Sequence, residues 1–169
     1  MDADGITHAL YGDAGGEVVS AIRSHFGDAV LSVDGTVDRV VLGERVLLET
    51  EGLRWLEGLL RPFILSELEL LVEGVVEVGV VVDLPLLFEW GLDGRFPFVA
   101  AVYAEDVVRW RRLAEKGIDM ERASALSALQ VSSEEKVELS DFVLVNNGSM
   151  DFLRAQCGIV SRIARGEAV

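Results

Sequence analysis

Asp2 and Asp4 stand two residues apart in Asp2-Ala3-Asp4. In an extended segment that spacing turns both side chains the same way, and such a pair can hold a magnesium ion or take a proton from a hydroxyl. Asp83 ends the apolar run Val80-Val81-Val82 and is followed by Leu84-Pro85. It reads either as a loop cap or as a carboxylate at the carboxyl end of a strand, the edge where open α/β sheets bind ligands. Cations gather at Arg109, Arg111, Arg112 and Lys116, with Arg39 and Arg45 elsewhere. The group suits a small anionic ligand, or else the solvated face of a helix. Arg61, just before Pro62, either faces a phosphate or complements a helix dipole.

These groups need elements to hold them. The valine run beginning at Gly79 has the β-branching of a strand buried on both faces of a parallel sheet, and Pro85 stops it. Two further short strands are expected, at Phe98–Tyr103 and Phe142–Val145, the latter ended by Asn146-Asn147-Gly148. Helical periodicity predicts Gly5–Leu10, Glu17–Phe26 with Val18, Val19, Ile22 and Phe26 on its apolar face, and Asp38–Thr50 with Val41, Leu42, Val46 and Leu48. Leu53–Glu73 is helical in pattern, and Pro62 predicts two helices meeting near Arg61. Later helices are expected at Asp106–Lys116, which carries the basic group, from Asp119 to Gln130, after Ser132 or Ser133, and from Ser149 to about Arg165. Strands alternating with helices mean an α/β fold with a parallel sheet.

Composition sets the boundaries. The chain has 169 residues, half of them apolar, and a formal charge of −14 from fifteen basic and twenty-nine acidic side chains. One soluble domain, 1–169, is expected. The charge argues against nonspecific binding to nucleic acid or an anionic membrane. No apolar run has the length of a membrane span, the amino terminus lacks a signal-peptide pattern, and the single Cys157, expected as core filler on a helix, allows no internal disulfide. A reducing, cytoplasmic setting is the expectation.

The ordered series Asp2-Ala3-Asp4, Phe26-Gly27, Asp34-Gly35, Asp38-Arg39, Pro62, Asp83-Leu84-Pro85-Leu86-Leu87-Phe88-Glu89, Gln130, Glu134-Glu135-Lys136, Asp141 and Asn146-Asn147-Gly148 resembles dephospho-coenzyme A kinase across nearly the whole chain. The resemblance implies a P-loop kinase fold. It implies transfer of the ATP γ-phosphate, with Mg2+, to the 3′-hydroxyl of dephospho-coenzyme A, the last step of coenzyme A synthesis. By resemblance Asp4 orients or deprotonates the attacking hydroxyl, with Asp2 beside it as a metal carboxylate. Arg39, Asp83, Leu86, Leu87 and Arg61 belong to the acceptor side, within a helical region 16–75 and the strand after it. A lid over 104–140 brings Arg111, Arg112 and Lys116 to the phosphates, and Asn146, Asn147 and Gly148 lie near the adenine.

The series also departs from the family. No GxxxxGK[ST] occurs in these residues, so the sheet is expected to be incomplete at the amino terminus, without the first strand, phosphate loop, first helix and second strand. The strand at Val80 is then left without neighbours, and those at Phe98 and Phe142 pair only with each other. Arg61 stands where the family has His, and the lid arginine falls on Glu115, or on Lys116 with one residue deleted; only the latter suits phosphates. Three readings stay open: the loop is encoded upstream; the chain is an inactive or truncated relative that binds a nucleotide, coenzyme A or a partner without transfer; or it is a nonfunctional remnant that does not fold alone.

Overall fold

A computed structural model describes residues 2–48, 50–73 and 79–167, and of residues 47, 48, 50, 71, 72, 122 and 126 the backbone alone. The described residues fall into two compact units, divided between Pro85 and Leu86.

The first unit is helical. α1 (Ala3–Gly12) starts where the Asp2 carboxylate accepts the Asp4 N–H at 3.0 Å, and Asp4 adds negative charge to the first turn. The pair is therefore not two like-facing carboxylates on an extended segment. Asp2 is extended, but its side chain folds the next residues into a helix, so Asp2 is the cap and Asp4 lies in the first turn. α2 (Glu17–Phe26) buries Val18, Val19 and Ile22, leaves Phe26 half-buried, and ends at Gly27, whose φ of 86° suits glycine and whose N–H donates to Arg23 O at 2.8 Å.

α3 (Arg39–Leu48) is capped by Asp38, whose Oδ1 accepts from Val40 and Val41, and it buries Leu42 and Val46. The Leu48 side chain of the expected apolar set lies outside the described residues.

α4 (Thr50–Glu73) runs unbroken through Pro62, so the expected two helices are one. Proline removes one helical donor and crowds the preceding turn, a cost of about 3 kcal/mol. Pro62 is exposed, whereas Leu56, Leu60, Ile64 and Leu68, spaced by four on both sides of it, are all buried. Burying that stripe, at roughly 1.5–3 kcal/mol per side chain, outweighs the lost bond. The helical region expected over 16–75 falls in this unit, its last two residues outside the described ones.

The run before Asp83 does not form the doubly buried strand that its valines suggest. Val81 is 84% exposed, and Asp83 closes a single parallel bridge to Asp2. β-branching makes a strand only where a neighbour supplies a full ladder, and 80–82 belong to no strand of the described residues.

In the second unit β1 (Ala100–Tyr103) and β2 (Phe142–Val145) are parallel, in register from Ala100 with Phe142 to Tyr103 with Val145, and pair with each other alone among the described residues. Asp141 fixes the start of the ladder: its Oδ2 accepts the Val99 N–H at 2.7 Å while its own N–H donates to Val99 O. The crossover contains α5 (Asp106–Glu115), α6 (Met120–Ala128) and α7 (Ser133–Glu138), the last capped by Ser132. α8 (Met150–Ala164) follows β2, and the Gln156 amide holds both the N–H and the carbonyl of Val145. Cys157 lies on α8 as expected but is exposed, not core. No helix among the described residues is long and apolar enough to cross a membrane.

Candidate active site

The first unit joins two motifs far apart in sequence. The Ala3 N–H donates to Asp83 O at 3.1 Å, across the parallel bridge of Asp2 to Asp83, so the start of α1 and the end of the valine run meet at one place. Three carboxylates belong to this junction, and they differ. Asp2 has one oxygen committed to the helix start, whereas no hydrogen bond or ion pair engages the exposed carboxylates of Asp4 and Asp83 among the described residues. Asp4 is the one whose helix position is secured by another residue while its own side chain stays available.

Arg39 is placed by backbone ties. Val37 N–H donates to Tyr11 O at 3.0 Å and Asp38 N–H to Val30 O at 2.9 Å, which brings the start of α3 against the end of α1. Burial pushes the Tyr11 phenol up to about 12, and the nearby Arg39 guanidinium opposes that shift. Tyr11 escaped the sequence reading, since one tyrosine near a helix end carries no signal of its own. A raised folded value means that the neutral form is favoured in the fold, so this stabilisation is present below about pH 10 and is lost as pH rises toward 12. Thermal melting followed across that window should fall with pH, and Tyr11→Phe should flatten the slope.

Arg61 is exposed on α4. Beyond the unit boundary Leu86 and Leu87 begin a closed turn, in which Trp90 N–H donates to Leu86 O and Leu92 N–H to Leu87 O, both at 3.0 Å.

In the second unit the basic group divides by role. Arg109 is a tie: its guanidinium donates to Ser133 Oγ at 2.8 Å and Ser127 Oγ at 3.3 Å and pairs with Asp106 at 3.1 Å, holding α5 to α6 and α7. Arg111 faces Glu115 at 3.8 Å, an exposed pair of little energetic weight. Arg112 and Lys116, spaced by four on or just past α5, share a helix face, and no ion pair engages either among the described residues.

The loop after β2 is tied to the start of α5. Asn147 Oδ1 accepts the Glu105 N–H at 2.8 Å and its Nδ2 donates to Glu105 Oε1 at 2.9 Å. Asn146 and Gly148 flank this clasp. Because Asn147 spends its amide on Glu105, Asn147→Ala should lower stability by about 1 kcal/mol; denaturant unfolding should show the lowered midpoint at unchanged slope.

Among the described residues no three His, Cys, Asp or Glu side chains cluster as a metal cage. Asp2 and Asp4 offer one or two carboxylates, the number that suits a magnesium ion held mainly by phosphates and water.

The family model "Dephospho-CoA kinase" matches residues 1–151. Dephospho-CoA kinases of Symbiobacterium thermophilum and Mesorhizobium japonicum are each 35% identical over 170 residues, covering 98% of this chain and 71% and 84% of those proteins. Among solved structures, TT1252 from Thermus thermophilus superposes with a TM-score of 0.73 at 28% identity, covering 99% of this chain and 84% of that one. The dephospho-CoA kinase from Campylobacter jejuni gives 0.62 at 25% identity, covering 98% and 85%.

Proposed function

The chain belongs to the dephospho-CoA kinase family, whose members are transferases with ATP and dephospho-CoA as substrates, and we propose that it serves the ATP-dependent phosphorylation of the dephospho-CoA 3′-hydroxyl in a reducing cytoplasm. What supports this reading is the junction of Ala3 N–H with Asp83 O, which holds the residue before Asp4, whose carboxylate is available, at Asp83. Asp4 orients the 3′-hydroxyl and takes its proton as the phosphoryl group arrives. Asp2 caps the helix that presents Asp4 and lends a carboxylate to magnesium. That ion, when bound with ATP, neutralises developing phosphate charge.

Arg39 and Arg61, with Asp83, Leu86 and Leu87, receive the acceptor, within a helical region 16–75 and the turn beyond it. The lid spans 104–140. Arg112 and Lys116 meet the phosphates, Lys116 rather than Glu115 taking the lid cation's place because Glu115 already faces Arg111. Arg111, Asn146, Asn147 and Gly148 serve the nucleotide, Asn147 by fixing the loop to α5.

A second reading has one specific support: these 169 residues contain no GxxxxGK[ST], the loop whose amides and lysine cradle β- and γ-phosphates. On that reading the chain binds dephospho-CoA or nucleotide without transfer. Isothermal titration of the 169-residue chain with dephospho-CoA and with MgATP tests the shared premise. Saturable 1:1 binding of dephospho-CoA is expected; no heat with either ligand contradicts both readings.

A further inference from the structure

Glu89 lies within the Leu86–Leu87 turn, yet its side chain points inward and is 14% exposed. Its Oε1 accepts the Val131 N–H at 3.0 Å and the Lys136 ammonium at 2.9 Å, while Oε2 is buried with no hydrogen-bond partner among the described residues. Burying a carboxylate is costly, and leaving one oxygen unmatched adds to the cost, so fold stability alone gives poor reason for a charge here. The charge does achieve one thing that an apolar residue cannot. It grips two donors on another segment, the loop between α6 and α7 and α7 itself, some forty residues along the chain. Arg109 grips that segment a second time through Ser127 and Ser133. The loop from Leu129 to Ser132 is thus fastened at one point to the Leu86–Leu87 turn and at another to the helix that carries Arg112.

We propose that Glu89 is a latch: a positioning residue that couples the turn bearing Leu86 and Leu87 to the return segment of the lid, so that an acceptor seated on the turn orders residues 129–138 and, through Arg109, α5. The proposal rests on the functional reading above for the identity of the acceptor and the lid, but the latch itself is testable without ligand. Hydrogen–deuterium exchange is measured on the purified chain, on Glu89→Ala, which loses both contacts, and on Glu89→Gln, which keeps an acceptor for Val131 without the charge for Lys136. Without ligand, exchange over 129–138 should quicken at least about tenfold in Glu89→Ala and less in Glu89→Gln, with α8 unchanged. Unchanged exchange over 129–138, or an equal rise in α8, overturns the latch; if Glu89→Ala does not fold, Glu89→Gln decides by the same criteria.

With dephospho-CoA added, the unmodified chain should slow exchange over both 86–91 and 129–138, and the variants over 86–91 alone. Slowing at both in the variants overturns the coupling, since a merely structural Glu89 leaves that response intact. A ligand without effect on the unmodified chain counts against the functional reading, and the ligand-free comparison then decides the latch.

Discussion

Asp4→Asn should lower kcat for 3′-phosphorylation by the full gene product roughly 10²–10⁴-fold, the usual yield of a positioned general base, while KM for dephospho-CoA stays within about threefold. The asymmetry follows from the local structure. Asparagine matches aspartate in size, and α1 is started by Asp2 rather than by Asp4, so the fold has no reason to change. The Asp4 carboxylate makes no hydrogen bond or ion pair among the described residues, so besides its proposed work on the acceptor only its first-turn charge on α1 is removed, worth at most about 1 kcal/mol of stability. Asp2→Ala differs in adding, to any kcat loss from the missing magnesium carboxylate, a stability loss of about 1 kcal/mol from the missing cap, seen as a lower melting temperature. Initial rates across a dephospho-CoA series, with melting curves of both variants, separate the two effects. If Asp4→Asn keeps more than a tenth of the parent kcat, Asp4 is not the base.

The second large effect is expected in the proposed lid. Replacing Arg112 and Lys116 together by Ala should cost roughly 10²–10³ in kcat, the scale on which donors aimed at developing charge act, and should leave the melting temperature nearly unchanged. Neither residue makes an ion pair among the described residues, so their removal frees no buried partner. Arg109→Ala should behave in the opposite way. It abandons two serine hydroxyls and Asp106, and the loss should appear first in the stability of α6 and α7. Single-turnover rates and thermal melts of the two variants check the pair; equal losses of stability in both would mean that the basic group acts only as scaffold.

The sequence carried much of this arrangement where the signal is local. The segments that form β1 and β2, the helices between them, the Ser132 and Ser149 caps and the buried face of α2 all follow from periodicity and capping chemistry within a few residues of each element, whereas the pairing of the two strands with each other is what the family resemblance implies. Prediction failed where distant parts decide. The valines at 80–82 are strand-formers, but a strand requires a neighbour that local propensity cannot supply. Pro62 reads as a break, yet a buried stripe extending two turns to either side keeps α4 whole.

The candidate site shows the same division. Asp2, Asp4, Asp83 and the basic helix are visible as residue types at suggestive spacings, but the division of labour within each group is tertiary. Nothing in Asp2-Ala3-Asp4 says which carboxylate caps, and nothing in the run from Arg109 to Lys116 says that Arg109 is spent on serines eighteen and twenty-four residues away. Glu89 is a letter in an apolar motif until Val131 and Lys136 are seen against it.

The most direct measurement is mass spectrometry of dephospho-CoA after incubation with MgATP and the full gene product, with fragmentation to locate any added group. A gain of one phosphoryl group on the ribose 3′-oxygen, lost with Asp4→Asn, is the expected result. Phosphorylation elsewhere on the molecule, or transfer that persists undiminished in Asp4→Asn, would contradict the assignment of this chain to acceptor activation.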